Sequence, residues 1–323
     1  MRTRFCAIKA MAKSTPDRAP GAIAPATPSH GYTIARPVKG SDIPMDLTFV
    51  LTRDEIYMPI AVRKPKGDGP FPVITMGRGD GRRGMPHVEA QVERLATMQD
   101  RMIQRGYVIA YVNYRNEIPL AYGKDGRAQN LPDFMTTDDR TLKSTASLDS
   151  DDLIAVFEYL KTLPYVNRDA IGALGVSHSG EMILKAAAET TFTAGVSIEG
   201  ASHEFLSVDT GPKIPRKDGV IQYHDIEFAR KNADKAKAME RIRRIETPIL
   251  HLGRDRDHLQ GIFMLAHEWM REAGKDSTWV SFDHPDHGYP YIYRHADGSY
   301  APDPVQQQAF DVFMDYFDKR LKR

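Results

Sequence analysis

The chain has 323 residues, with 44 Lys+Arg against 43 Asp+Glu, a formal charge of +1, 41% hydrophobic residues and a single cysteine, Cys6. A chain of this length can bury a sizeable core without covalent staples. The balanced charge argues against a dedicated nucleic-acid binder, and the lone cysteine excludes an intrachain disulfide framework and any multi-cysteine zinc or iron–sulfur site.

No apolar run of about 18 residues occurs, so no membrane span is expected. Arg2, Arg4, Lys9 and Lys13 surround an apolar stretch, residues 5–8, that is shorter than the roughly 7–15 residues of a signal-peptide core. Pro16, Pro20, Pro25 and Pro28 follow among alanine, glycine and threonine, which is linker composition. Residues 1–31 therefore read as a disordered leader, and the want of a clear signal peptide favours a cytoplasmic chain. Residues 32–323 read as one domain.

Residues 47–52 and 56–63 are strand-like, and Lys66-Gly67-Asp68-Gly69 turns the chain. The apolar run 71–76 ends in Gly77-Arg78-Gly79-Asp80-Gly81. Val88, Val92, Leu95, Met98, Met102 and Ile103 then share a helical face that Gly106 terminates. Residues 107–113 form a buried strand, and residues 117–148 a polar loop without periodicity, a length that is usually functional inside a domain. Asp149 or Ser150 caps a helix with Leu153, Ile154, Val156, Phe157 and Leu160 inward. Strand 170–176, helix 181–189 and strand 194–198 follow.

The rhythm breaks at residues 203–246, where a Pro/Gly-containing loop (211–219) leads to a charged helix over roughly 225–244. This insertion reads as a small cap over one end of the sheet. Strand 248–253, a helix ended by Gly274, strand 277–282 and a helix opened by Asp303-Pro304 complete the chain. Strands alternating with helices predict a mostly parallel central sheet with helices on both faces, an α/β fold.

The chemistry-bearing segment is Gly175-Val176-Ser177-His178-Ser179-Gly180. It sits between a strand and a helix, where small residues let a serine occupy a sharp turn. The pattern Gly-x-Ser-x-Gly is matched except that Ser179 replaces the last glycine. A serine hydroxyl needs a base, and the base an orienting acid. Both occur later in the chain, in the order acid then histidine, after successive strands: Arg254-Asp255-Arg256-Asp257-His258 and Asp283-His284-Pro285-Asp286-His287-Gly288-Tyr289. Loops at the carboxyl ends of parallel strands are where such sheets place their sites.

From about Ile56 onward the chain resembles the α/β-hydrolases, in the branch of prolyl-oligopeptidase-like and dienelactone-hydrolase-like enzymes. The marks are Gly106-Tyr107, Asn113-Tyr114-Arg115, Asp152, Asn167-Arg168-Asp169-Ala170-Ile171-Gly172, Gly175 to Ser177, Thr247-Pro248 and His287-Gly288-Tyr289. The resemblance implies an α/β-hydrolase fold with Ser177 as nucleophile and His287 as general base. It puts the acid about three residues past the strand-ending Gly253, at the position of Arg256. Asp255 and Asp257 straddle that position. Asp257 is preferred, because Asp257-His258-Leu259 resembles the family's acid followed by a hydrophobic segment, and a one-residue insertion is assumed. The oxyanion donors are expected to be the His178 N–H and an N–H of the glycine-rich loop, Arg78 or Gly79, where Met76-Gly77-Arg78 replaces the usual His-Gly-Gly.

Gly79, Glu199, His203 and Tyr289 are candidate pocket residues. The aromatics Tyr122, Phe134, Phe205, Tyr289 and Tyr291 on the same loops suit an aromatic ester. Arg78, Arg82 and Arg83 are either a solvated basic loop or an attraction for an anionic group. No cofactor is expected. No metal is expected either, since the pair His284 and His287 has no matching carboxylate motif. The expected activity is a serine hydrolase that cleaves small-molecule carboxylic esters through an acyl-enzyme. The alternatives are a prolyl-oligopeptidase-like peptidase, a lactonase and a non-catalytic binding protein. Residues 1–70 are too few for a substrate-filtering propeller, which favours small esters. Lactonases of the related group typically use cysteine, and the charged cap is unlike a lid over lipid.

Overall fold

The computed structural model describes residues 33–53, 57–79, 84–114 and 149–323, with the side chains of residues 84–86 left aside. The leader, the whole of the expected loop 117–148 with its Tyr122 and Phe134, and Arg82 and Arg83 lie outside the described residues.

Eleven strands occur among the described residues, and nine of them form one sheet in the order β1-β2-β3-β5-β4-β6-β7-β10-β11. The first three, β1 (Ile34–Val38), β2 (Ser41–Leu51) and β3 (Tyr57–Arg63), are antiparallel, and β3 meets β5 (Val108–Val112) antiparallel. From β5 on all pairings are parallel, through β4 (Phe71–Gly77), β6 (Val166–Val176), β7 (Ala194–Ile198), β10 (Ile249–Arg254) and β11 (Ser277–Phe282). Every residue of β5 and β7 is buried, as expected of parallel strands covered on both faces.

Alternation within the strands divides the core in two. Val73, Val108, Ala110 and Val112 point to one face, where they meet α2 (Asp149–Thr162), α3 (His178–Ala187) and α6 (Gln260–Glu272). Ile74, Met76, Ile109 and Tyr111 point to the other, against α1 (Gly84–Gln104) and α7 (Pro304–Leu321). The strand order reverses at β4, which lies between β5 and β6. The crevice at such a reversal, outside the carboxyl ends of the strands, is where sheets of this kind bind ligands. Here it is bordered by the Gly77-Arg78-Gly79 loop after β4 and by Ser177 after β6.

The insertion between β7 and β10 holds a short hairpin, β8 (Arg216–Lys217) with β9 (Val220–Ile221), and two helices, α4 (Ile226–Lys231) and α5 (Lys235–Arg243). The single helix expected over 225–244 is thus broken at Asn232-Ala233-Asp234. The break has a tertiary cause. Ala233 bridges to Val208, the Asp209 N–H donates to the Asn232 carbonyl at 2.8 Å, and Asp234 caps α5 through the Lys237 N–H. The insertion docks on the start of α6, where the Gly261 N–H donates to the Tyr223 carbonyl at 2.8 Å.

Two smaller expectations also change. Strand β1 was not anticipated, because an edge strand with three consecutive exposed residues carries no alternation. Asp149 and Ser150, expected as caps, are already helical. The final helix begins as read: Asp303 and Gln306 form a reciprocal capping box with Pro304 in the first turn.

Candidate active site

Ser177 closes β6 and precedes α3 with φ 56° and ψ −116°. A non-glycine residue at positive φ costs about 1–3 kcal/mol and persists only where its surroundings hold it. They do so here. The Ser177 N–H donates to the Ile198 carbonyl at 2.9 Å, and the Ser177 carbonyl accepts the Ala201 N–H at 3.0 Å and the Glu181 N–H at 3.2 Å. The elbow is therefore tied both to β7 and to the loop beyond it. The departure at Ser179 is also accommodated. Its hydroxyl pairs with the Tyr114 hydroxyl at 2.7 Å and lies over Gly77, where a methyl group would come within 2.2 Å of it.

Gly79 faces the elbow directly. A Cβ at Gly79 would lie 3.2 Å from His178 Cβ, 3.3 Å from His178 N and 3.5 Å from Ser177 Cβ. The His178 N–H belongs to the first turn of α3, whose donors point out of the helix N-terminus. The expected oxyanion elements, the His178 N–H and the β4 loop, are thus adjacent. The Arg78 side chain turns from this point to the Tyr293 ring, 5.2 Å from its centroid, and Arg94 lies over the same ring at 4.3 Å. The His178 ring bonds Asp149 through Nε2 at 2.7 Å, which ties the elbow to α2.

On the other side, His287 Nδ1 lies 2.9 Å from Asp257 Oδ2 and 2.8 Å from Glu199 Oε2. Asp257, not Asp255, is therefore the aspartate on the histidine. Asp255 instead accepts the Ser281 hydroxyl at 2.6 Å. Between them Arg256 takes φ 62°, so the residue at the resemblance's expected acid position forms the turn that brings Asp257 inward. Asp257 is fully buried and saturated with donors: Arg254 Nε at 3.0 Å and Nη2 at 2.6 Å on Oδ2, and the Leu259 N–H at 2.7 Å on Oδ1. Burial opposes ionisation of Asp257, but the His287 hydrogen bond and charge, the Leu259 N–H and His258 prevail and lower its pKa to about 2. Burial likewise opposes the imidazolium of His287. The hydrogen bonds and charges of Asp257 and Glu199 outweigh it and raise the pKa to about 9. The His258 ring lies 5.2 Å from that of His287, and burial holds its pKa down.

The His287 loop is pinned from below. Arg254 Nη1 donates to the carbonyls of His284 at 3.2 Å and Pro285 at 3.0 Å, and His284 Nε2 pairs with Asp303 at the cap of α7 at 2.9 Å. The two halves of the site meet at Gly288. Its N–H donates to Glu199 Oε2 at 2.6 Å, and a Cβ there would lie 3.1 Å from Val176, the residue before Ser177.

Two pocket expectations need correction. Glu199 is fully buried and bonded to the histidine loop rather than lining a pocket. Tyr289 is buried, stacked on His284, with its hydroxyl on the Gly253 carbonyl at 3.1 Å. His203, half-buried, packs edge-on to Tyr223 in the insertion, which leaves its expected place by the pocket open. Arg254 was not anticipated, and a single arginine ending a strand gives no sequence signal. Among the described residues, one set of three metal-type donors lies within 4.8 Å of one another, Asp257, His258 and His287. It excludes His284, and Arg254 already places a cation on its carboxylate. Among the described residues no helix is long and apolar enough to cross a membrane.

Comparison with solved structures finds the same fold repeatedly. The acylaminoacyl peptidase of Pyrococcus horikoshii superposes with a TM-score of 0.58 at 21% identity, covering 88% of this chain and 43% of that one. The chain thus spans about two-fifths of that peptidase. A putative dienelactone hydrolase from Klebsiella pneumoniae gives 0.55 at 15% identity over 86% of this chain and 100% of that one. A Rhizomucor miehei esterase gives 0.56 at 14% over 88% and 86%. A comparison with curated proteins found no match. The sequence profile of the prolyl oligopeptidase family matches residues 94–297, which run from α1 through the elbow to the histidine loop. The chain therefore belongs to the prolyl oligopeptidase family, within the α/β-hydrolase fold of serine hydrolases.

Proposed function

We propose that the protein hydrolyses carboxylic esters of small molecules through an acyl-enzyme on Ser177. The Ser177 hydroxyl attacks the ester carbonyl as His287 accepts its proton. The developing oxyanion is held by the His178 N–H and an N–H of the Arg78-Gly79 loop. His287 then returns the proton to the leaving alkoxide. Water, activated by the same imidazole, attacks the acyl-enzyme and releases the acid. Asp257 holds the imidazole tautomer and stabilises the imidazolium.

One observation carries the reading. A serine is held at positive φ beneath Gly79, and the loop bearing a carboxylate-bonded histidine packs against the residue before it. Ester hydrolysis is supported by the likeness to a dienelactone hydrolase and to an esterase. A peptidase is the second reading, favoured by the family profile and by the higher identity to the peptidase structure.

Ser177→Ala is expected to abolish p-nitrophenyl acetate turnover and fluorophosphonate labelling while leaving the thermal melt in place. Turnover retained by this variant would overturn the assignment. A panel pairing p-nitrophenyl esters with aminoacyl and peptidyl anilides separates the two readings. Esters should be cleaved faster, and the reverse ranking would make the protein a peptidase.

A further inference from the structure

The imidazole of His287 is held by two acids that come from different strands. Asp257 follows β10 and Glu199 follows β7, and their Oδ2 and Oε2 atoms lie 2.9 Å and 2.8 Å from the same nitrogen, Nδ1. A neutral imidazole has a single N–H to offer there, so the two carboxylates either share it or alternate.

The acids are unequally neutralised. Asp257 Oδ2 carries a two-pronged bond from the Arg254 guanidinium. Among the described residues, Glu199 Oε2 accepts only the Gly288 N–H besides the imidazole, while Oε1 is buried without a hydrogen bond, 4.0 Å from Arg254 Nε. Both carboxylates are fully buried. With both ionised, the two acids and one guanidinium leave one uncompensated negative charge around a neutral imidazole. That charge is cancelled when His287 takes up a proton. In a buried site such compensation weighs far more than it would in water. The other ionisable groups near His287 do not supply it. His258 has its pKa held down by burial, and His284, on the same loop, is paired with Asp303. Asp286, also on that loop, is exposed.

We propose that Glu199 is a second positioning acid for His287, able to hold its tautomer when Asp257 cannot and supplying the charge that makes it a strong base. This goes beyond the preceding assignment and rests on it, since it takes Ser177 and His287 as the reacting pair. It predicts a redundancy that a single-acid triad lacks. Asp→Asn in such a triad costs about 10⁴ in kcat.

The test measures kcat/KM for p-nitrophenyl acetate against pH in the wild type, Glu199→Gln, Asp257→Asn and the double variant. Asp257→Asn should lose less than about 100-fold, and the double variant should fall to the full ~10⁴-fold loss of a triad without its acid. Glu199→Gln should retain activity within about tenfold at high pH while its acidic limb moves down by about one pH unit or more. A parallel NMR titration of the His287 imidazole in the Ser177→Ala background, with and without Glu199→Gln, needs no turnover. The titration should move to lower pH when Glu199 is replaced. An Asp257→Asn loss of about 10⁴ on its own, or an imidazole titration unmoved by Glu199→Gln, would overturn the proposal. A wild type that turns over neither esters nor anilides would instead sink the assigned activity, and the titration would still decide the role of Glu199.

Discussion

Gly79→Ala separates the chemistry of the site from its packing. The added methyl would meet His178 Cβ at 3.2 Å, His178 N at 3.3 Å and Ser177 Cβ at 3.5 Å. Two of these contacts are tighter than ordinary packing and require shifts of a few tenths of an ångström, but Gly79 has no positive φ to strain, so the cost to folding should be about 1 kcal/mol. The methyl does, however, fill the space in front of the His178 N–H. An oxyanion must come within about 2.7–3.1 Å of its donors, and a carbon already resting on that nitrogen holds it off. Loss of one such donor costs about 10²–10³ in kcat, or about 2.7–4 kcal/mol. Because the donor acts on the transition state, KM should change little. Gly77→Ala is the contrasting control. Its methyl would lie 2.2 Å from Ser179 Oγ and 3.0 Å from the Tyr114 hydroxyl, so it must break the Tyr114–Ser179 bond and displace both. Overpacking of this kind costs about 1–3 kcal/mol of stability. The assay is kcat and KM on p-nitrophenyl acetate beside a thermal melt for each variant. Gly79→Ala with wild-type kcat, or with a melting shift as large as that of Gly77→Ala, would refute the argument.

Arg254→Met should cost about 3 kcal/mol in chemical denaturation, since it strips a buried carboxylate of its cation and frees the His284 and Pro285 carbonyls. Its kcat should fall too, and a variant with both quantities unchanged would show that the clamp is idle. Stability should also follow the Asp257–His287 pair. The Asp257 pKa is depressed to about 2, so its contribution is present above the unfolded value of 3.8 and lost as pH falls through about 2. The His287 pKa is raised to about 9, so its contribution is complete below the unfolded value of 6.5 and lost as pH rises through about 9. The Asp257 shift and part of the His287 shift describe one interaction, and Glu199 supplies the rest of the latter. Tm should therefore gain most between roughly pH 4 and 6.5, and Asp257→Asn should remove the acidic limb and weaken the alkaline one. A parallel pH dependence in wild type and variant would refute the linkage.

Local pattern carried the reading of the sequence as far as strand and helix order, the elbow at Ser177 and the pair of acids Asp255 and Asp257, between which the family resemblance chose Asp257. Each of these leaves a local mark: burial with a period of 2 or 3.6, small residues at a tight turn, an acid just past a strand end. What pattern could not carry is pairing over long separations. Glu199 meets Gly288 across 89 positions and Tyr114 meets Ser179 across 65, and no periodicity encodes such a meeting. The two helices of the insertion read as one because their break is imposed by a bridge to Val208 from outside the helical stretch. Edge strand β1 stayed hidden for the opposite reason: with one neighbour and solvent on much of its length it has no apolar rhythm to display.

The sheet order explains why a second acid can reach the histidine at all. Ser177 follows β6, Glu199 follows β7, Asp257 follows β10 and the histidine loop follows β11, and these four strands are parallel neighbours in that order. Parallel neighbours lie about 4.8 Å apart, so Ser177 and Asp257 stand roughly two spacings from each other, and the imidazole has to bridge them above the end of β7. The residue in that place extends the ladder, its N–H donating to the Leu252 carbonyl at 2.9 Å, and then turns out of strand geometry at φ 46°. An apolar side chain there would leave the Gly288 N–H without its carboxylate partner and the imidazole with a single acid. The glutamate serves both, and the same carboxylate fixes the histidine loop and meets its imidazole.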